Sequence, residues 1–308
     1  MTARRHDRTA SDGFILVAVL WVLGALAALA SIYALYVANT AMAVAINDDA
    51  VKANALTAGA VELAALELLK APEDRRPTRG AFTFRMRSAQ IAVEFCSEAA
   101  RIDLNAAPKE LLAGLFGVLG AQADDAAQYA DRIVAWRKTP SDNAPDREAS
   151  LYGAAGLSYA PRGAPFEHVD ELWLVLGLPP AMVGRAMFYV TVFSGRPDIN
   201  VLDAAPEVIA ALPGMTSERL NAFLSERPLL TRGGAPSDLS QLGPGRAHAT
   251  VEGSKATRVT VHIALDNGRR ITSQAVIIVD GEGEPFRVLS WREDIDAQGG
   301  AVRPRMRP

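Results

Sequence analysis

The sequence predicts an α+β protein: a long N-terminal helix packed on a small antiparallel sheet, with a large all-helical domain inserted between the strands. Three observations predict it. An uncharged apolar run opens the chain, residues alternate apolar and polar on either side of 98–230, and helical spacing dominates within 98–230. The expected parts are a leader at 1–13, a helix at 14–70 and a hairpin within 71–97. A helical insert in two similar halves follows at 98–230, then returning strands within 231–296 and a disordered tail at 297–308.

The helix comes first. No charged side chain occurs over 14–47, and nearly every residue over 14–38 is apolar. About 25 such residues measure roughly 37 Å as a helix, enough to cross the ~30 Å hydrocarbon layer with some tilt. Arg4, Arg5 and Arg8 precede the run and Asp48 and Asp49 follow it, which keeps the N-terminus cytoplasmic. The run is too long for a conventional cleaved signal peptide, and no clear Ala-x-Ala site precedes a charged mature start. A lone Gly13 marks the junction of leader and run, and two readings stand: a plain signal anchor, or cytoplasmic cleavage between Gly13 and Phe14. Past Asn47 the pattern turns amphipathic, with Leu56, Ala60, Leu63 and Leu66 among Lys52, Asn54, Glu62, Glu67 and Lys70. Pro72 and Pro77 end it. The small residues Ala25, Ala27, Ala28, Ala30 and Ala34 suit tight contact between helices.

Strands follow. Phe82, Phe84 and Met86 alternate with polar residues, as do Ile91, Val93 and Phe95, with a link short enough for a hairpin. Cys96, the single cysteine, reads as a buried strand-end hydrophobe with no disulfide partner. Later, Val259, Val261, Ile263 and Leu265 alternate up to Asn267-Gly268, a type I′ turn signal. A return strand is expected over 271–279 and a third over 286–291. Between these regions lies an internal echo: Ile102-Asp103-Leu104-Asn105-Ala106-Ala107-Pro108 resembles Ile199-Asn200-Val201-Leu202-Asp203-Ala204-Ala205-Pro206. In each, an Asn or Asp caps a helix with Pro in its first turn. Further helices are expected over 124–138, 169–176 and 218–225.

Composition narrows the function. Lys+Arg number 32 against Asp+Glu 35, and the balance of −3 becomes −4 without residues 1–13. That is a poor footprint for nucleic acid. The turn Leu212-Pro213-Gly214-Met215 resembles the helix-hairpin-helix element of DNA-binding proteins, so a membrane-anchored periplasmic DNA-binding protein is the alternative reading. The turn lacks the Lys/Arg that phosphate contact needs. The four histidines, His6, His168, His248 and His262, have no metal-ligand spacing. No nucleophile elbow, P-loop or zincin motif occurs, so no enzyme is expected.

The Gly13-Phe14 junction resembles the type IV pilin and pseudopilin class, whose leader peptidase cuts after such a Gly and methylates the new terminus. The order of parts is similar to the minor pseudopilin family of type II secretion system protein K. That resemblance runs from Gly13 to about residue 294. It rests on Ile102-Asp103-Leu104-Asn105, Ile133-Val134-Ala135-Trp136-Arg137, Pro165-Phe166-Glu167-His168-Val169-Asp170-Glu171-Leu172, Ile199-Asn200-Val201, Leu212-Pro213-Gly214-Met215 and Phe286-Arg287-Val288-Leu289-Ser290-Trp291-Arg292-Glu293. It implies a pseudopilin fold and a non-catalytic role, capping and initiating a periplasmic pseudopilus that expels folded proteins across the outer membrane. It implies a single inner-membrane pass and a periplasmic body. The implied partners are I- and J-type minor pseudopilins, the major pseudopilin, the inner-membrane assembly platform and the prepilin peptidase. Major pilins carry Glu at the fifth mature position; Ala18 stands there, and an apolar residue suits a subunit with no neighbour above it, because an unpaired carboxylate is costly in lipid. No cofactor is required by this reading. The family's insert can hold calcium on acidic loops, for which Asp142, Asp146 and Glu148 are the candidates. Glu148 and Tyr152 match its Glu-x-x-x-Tyr pattern, whereas Lys138 stands where an Asp commonly follows Trp-Arg.

Overall fold

A computed structural model describes residues 11–86, 89–139, 147–230, 236–279 and 284–293. Its first element, α1, is a single helix over Ser11–Leu69, starting three residues before Phe14. The chain divides into two compact units, 1–56 and 57–308. The described part of the first unit is helix throughout. Every residue over 16–44 is exposed, including Trp21, Tyr33 and Tyr36. A helix apolar on all sides needs lipid or other helices around it, and α1 is long and apolar enough to cross a membrane.

In the second unit the end of α1 buries one stripe: Thr57, Ala60, Val61, Ala64, Ala65 and Leu68. The three-to-four spacing puts these on one side. The sheet supplies the matching surface. Strands β1 (Arg79–Met86), β2 (Ala89–Ser97), β7 (Ala256–Leu265), β8 (Arg270–Ile278) and β9 (Arg287–Arg292) form one five-stranded sheet in the order β1-β2-β7-β8-β9. All its pairs are antiparallel. Register aligns Val93 with Val261 and Ser273, and Ile91 with Ile263 and Ile271, on one buried face. Neither this face nor the α1 stripe joins the core of the insert, so each accounts for the burial of the other. The opposite face carries Glu94, Thr260 and Gln274.

Two local expectations change. Cys96 lies half-buried on the polar face rather than in the core, because strand alternation puts it opposite Phe95. Burial still pushes its thiol up to about 11, which keeps it protonated and unreactive at neutral pH. The β7–β8 connection is a three-residue loop: Gly268 N–H donates to Leu265 O at 2.9 Å, and Leu265 N–H to Arg269 O at 2.9 Å. Gly268 therefore follows the turn, with φ of 82°, and Asn267 Oδ1 accepts from Arg269 N–H at 3.0 Å. A left-handed Gly after a turn gives the strand twist that the two-residue I′ turn would otherwise supply.

The insert departs after Ser97 and returns at Ala256. Ser97 and Thr257 are register partners on neighbouring strands, so the whole insert is a detour between adjacent positions of one sheet. Its helices are α2 (Lys109–Val118), α3 (Ala123–Arg137), α4 (Arg147–Ala154), α5 (Pro180–Ala186), α6 (Pro206–Ala210) and α7 (Ser217–Glu226), with a 3₁₀ segment at Val169–Leu174. The core of the insert continues past 230 through Leu239, Leu242 and Val251. Strand β6 (Ala249–Thr250) pairs with β5 (Ile199–Asn200). The boundary expected at 230 thus moves to about 255, because the apolar residues beyond 236 find their contacts in the insert and not on the sheet. The expected tail at 297–308 lies outside the described residues.

The echo has a structural counterpart. Strand β3 (Ile102–Asp103) pairs in parallel with β4 (Val190–Thr191), as β5 pairs with β6. Leu104 N–H donates to Thr191 O, and Val201 N–H to Thr250 O. Asp103 Oδ1 accepts from Asn105 N–H at 2.7 Å, and Asn200 Oδ1 from Leu202 N–H at 2.9 Å. The closing strands match too: Thr191 Oγ1 accepts from Phe193 N–H and Thr250 Oγ1 from Glu252 N–H, each at 3.1 Å. Two units of one plan make the insert.

Candidate functional site

Three of the motifs separated in sequence meet in one buried network. Asn105 Nδ2 donates to Phe166 O at 2.9 Å, while its Oδ1 accepts from Phe166 N–H at 2.7 Å. Arg137 donates to the carbonyls of Leu104 and Ala107. The Trp136 indole N–H reaches Glu171 Oε2 at 3.0 Å, and its ring packs 6.0 Å from Phe166 and 6.1 Å from Tyr152. Glu171 Oε1 also accepts from the N–H groups of Glu167 and His168. Burial alone raises Glu171, but these donors and Arg162 hold it below its usual value. The Tyr152 hydroxyl, wholly buried, accepts from Leu176 N–H at 2.8 Å. Each polar group faces another part of the insert, so these motifs fix its shape rather than greet a ligand.

A second cluster joins insert to sheet, and sequence reasoning missed it. Glu98, just past β2, is fully buried. Arg258 on β7 donates from Nε to Oε1 at 2.6 Å and from Nη2 to Oε2 at 3.0 Å. Thr191 on β4 donates its hydroxyl to the same carboxylate. Arg101, beside them, donates to Phe188 O, and burial lowers it to about 10. The crossover chains are stitched by Ser97, whose Oγ accepts from Ser254 N–H at 2.8 Å. A cavity of about 450 Å³ opens here, lined by Arg79, Arg101, Phe188, Tyr189, Asp203 and Gln274 among others. The available signal was faint: a Thr-Val pair at Thr191-Val192 and Thr250-Val251, whose threonine ends the closing strand of each half, recurs at Thr260-Val261 in β7.

Gly13 and Phe14 lie within the first turns of α1, and Ala18 is on its exposed surface one turn on. Of the calcium candidates, Asp142 and Asp146 lie outside the described residues. Glu148 accepts from Arg132 Nη1 with both carboxylate oxygens at 2.8 Å, so a cation would have to displace a guanidinium. Among the described residues no group of three metal-binding side chains occurs. Glu148, the one candidate among the described residues, is thus already paired, and no role is drawn through calcium.

The hairpin at 212–215 joins α6 to α7, with Thr216 capping α7 by accepting from Arg219 N–H. A Cβ on Gly214 would lie 3.1 Å from the Pro244 ring, and Arg219 is turned back onto Gly214 O at 3.0 Å. The turn is thus covered by Pro244, and Arg219 is occupied, against phosphate contact. His262 meets Thr272 Oγ1 at 3.0 Å and His168 precedes the 3₁₀ segment.

Comparison with known proteins agrees with this geometry. A family model for type II secretion system protein K matches residues 94–195. No curated protein matches the chain. Among solved structures, a chain of the crystal structure of the GspK-GspI-GspJ complex from enterotoxigenic Escherichia coli aligns with a TM-score of 0.54 at 20% identity. The alignment covers 80% of this chain and 97% of that one. Residues 94–195 span the end of β2, Glu98, Arg101 and Thr191 of the junction cluster, and the motif network, so the family likeness falls on the first half of the insert, and the fold around it is the mixed helix-and-sheet fold of that neighbour: the chain is similar to type II secretion system protein K.

Proposed function

We propose that this chain is a minor pseudopilin that caps the pseudopilus of a type II secretion system and initiates its assembly. One observation carries the reading: a protein-K-like insert, detouring from β2 to β7, rides on a chain whose leading helix is apolar on every side. The solved relative is in complex with GspI and GspJ, and I- and J-type subunits are the partners proposed here. The exposed 16–44 surface needs neighbours of its own kind once it leaves lipid. Ala18 keeps that surface uncharged, as suits a terminal subunit. Glycine at 13 makes the junction the cleavage point, with Phe14 as the new terminus.

The test is N-terminal sequencing and mass determination of the membrane-extracted protein. The expected result is a chain that starts at an N-methylated Phe14, and a Gly13→Leu variant that keeps residues 1–13. A native chain beginning at Met1, or normal processing of the variant, overturns the reading.

A further inference from the structure

The two edges of the sheet are built differently. At one, β9 is six residues long, and its pairing with β8 shifts register between Val276 and Ile277. Shortness and irregularity are standard protection against unwanted strand pairing. At the other, β1 is eight residues long and pairs with β2 at every position without a shift. It holds no Pro, and among the described residues no hydrogen bond reaches its outer side. Its inner-face residues Phe82 and Phe84 stack at 6.2 Å and stay half-exposed beside the apolar face of the sheet. Met86 is 48% exposed. A long regular edge flanked by open aromatics is a template for a further strand.

Charge says which strand. β1 carries Arg79 and Arg85 and no carboxylate. Both are largely exposed, with carboxylates only at 3.9 Å (Asp203) and 3.8 Å (Asp266). A second copy of this chain would set arginine against arginine across the new pair, which is unfavourable. We propose that β1 is a docking edge, to which an extended acidic segment of a sister pseudopilin adds as a sixth strand. Its apolar residues would cover Phe82 and Phe84, and its carboxylates would meet Arg79 and Arg85. This rests on the pseudopilin reading for the identity of the partner.

Hydrogen exchange on the full chain, alone and co-purified with its I- and J-type subunits, tests it. The expected result is slowed exchange of 79–86 in the complex. A Thr83→Glu/Arg85→Glu variant changes only exposed positions. It is expected to melt as wild type while binding the I–J pair at least about tenfold more weakly. An unchanged exchange rate at 79–86 in an intact complex overturns the docking edge and leaves the pseudopilin reading standing. Failure of any complex to form overturns that reading and the named partner with it. A dimer of this chain protected at 79–86 overturns the choice of an acidic sister strand.

Discussion

A carboxylate with no accessible surface stays ionised only where charge and hydrogen bonds replace its lost water, and Glu98 has both. Burial pushes it up; the charge and hydrogen bonds of Arg258, then Arg101 and Thr191, hold it below its ordinary 4.5. A depressed carboxyl adds stability above its unfolded value and loses it as pH falls through the folded one. Unfolding free energy should therefore drop as pH falls below that ordinary value, and drop less steeply in Glu98→Gln. That variant strands Arg258 and should cost roughly 3–5 kcal/mol in urea titrations at neutral pH. Glu98→Leu/Arg258→Met should cost less than Glu98→Leu alone, because Arg258 is then not left buried without its carboxylate, while Arg101 still loses a counter-charge. In the sequence Glu98 looks like a surface residue. Its partner lies 160 positions away, and nothing local signals a bond made only when the insert closes.

Elements were legible wherever one face of a strand or helix is buried. The alternation of β2 and β7 and the spacing of α3 are direct images of burial. Contacts between elements were not. Gly114 sits mid-helix in α2, where Gly is disfavoured, because a Cβ there would come 1.9 Å from Ala211 O at the end of α6. Gly117, three residues on in the same helix, has nothing within 4 Å. Gly114→Ala should destabilise by about 1–3 kcal/mol, since backbone must move. Gly117→Ala should be stabilising by roughly 0.5–1 kcal/mol through helix propensity. Thermal melts of the pair measure the difference, and equal effects would contradict the close packing of α2 on α6. The echo at 102–108 and 199–206 was readable; that each half closes on its own two-residue strand, ending at Thr191 and at Thr250, was not, because two-residue strands leave no periodicity.

For the molecule as a whole, solubility and folding reside in different stretches. A fragment spanning 47–308 lacks the fully exposed apolar surface of 16–44 but keeps the sheet, the insert and the buried stripe of α1. It should remain in solution after detergent removal and melt within a few degrees of the full chain, whereas the full chain should require detergent; circular dichroism and sedimentation compare the two. A fragment that aggregates or melts early would mean that the leading helix also stabilises the body. The sequence by itself determined the membrane-length helix, the strand-insert-strand order and the resemblance of the motifs to protein K. Each follows from composition or short-range periodicity, which survives in one dimension. Only the tertiary structure decided that the insert ends near 255, that the motif residues face one another, and that Glu98 and Arg258 lock insert to sheet. Those facts depend on pairs far apart in the chain, whose energies come from excluding water between surfaces and leave no local trace.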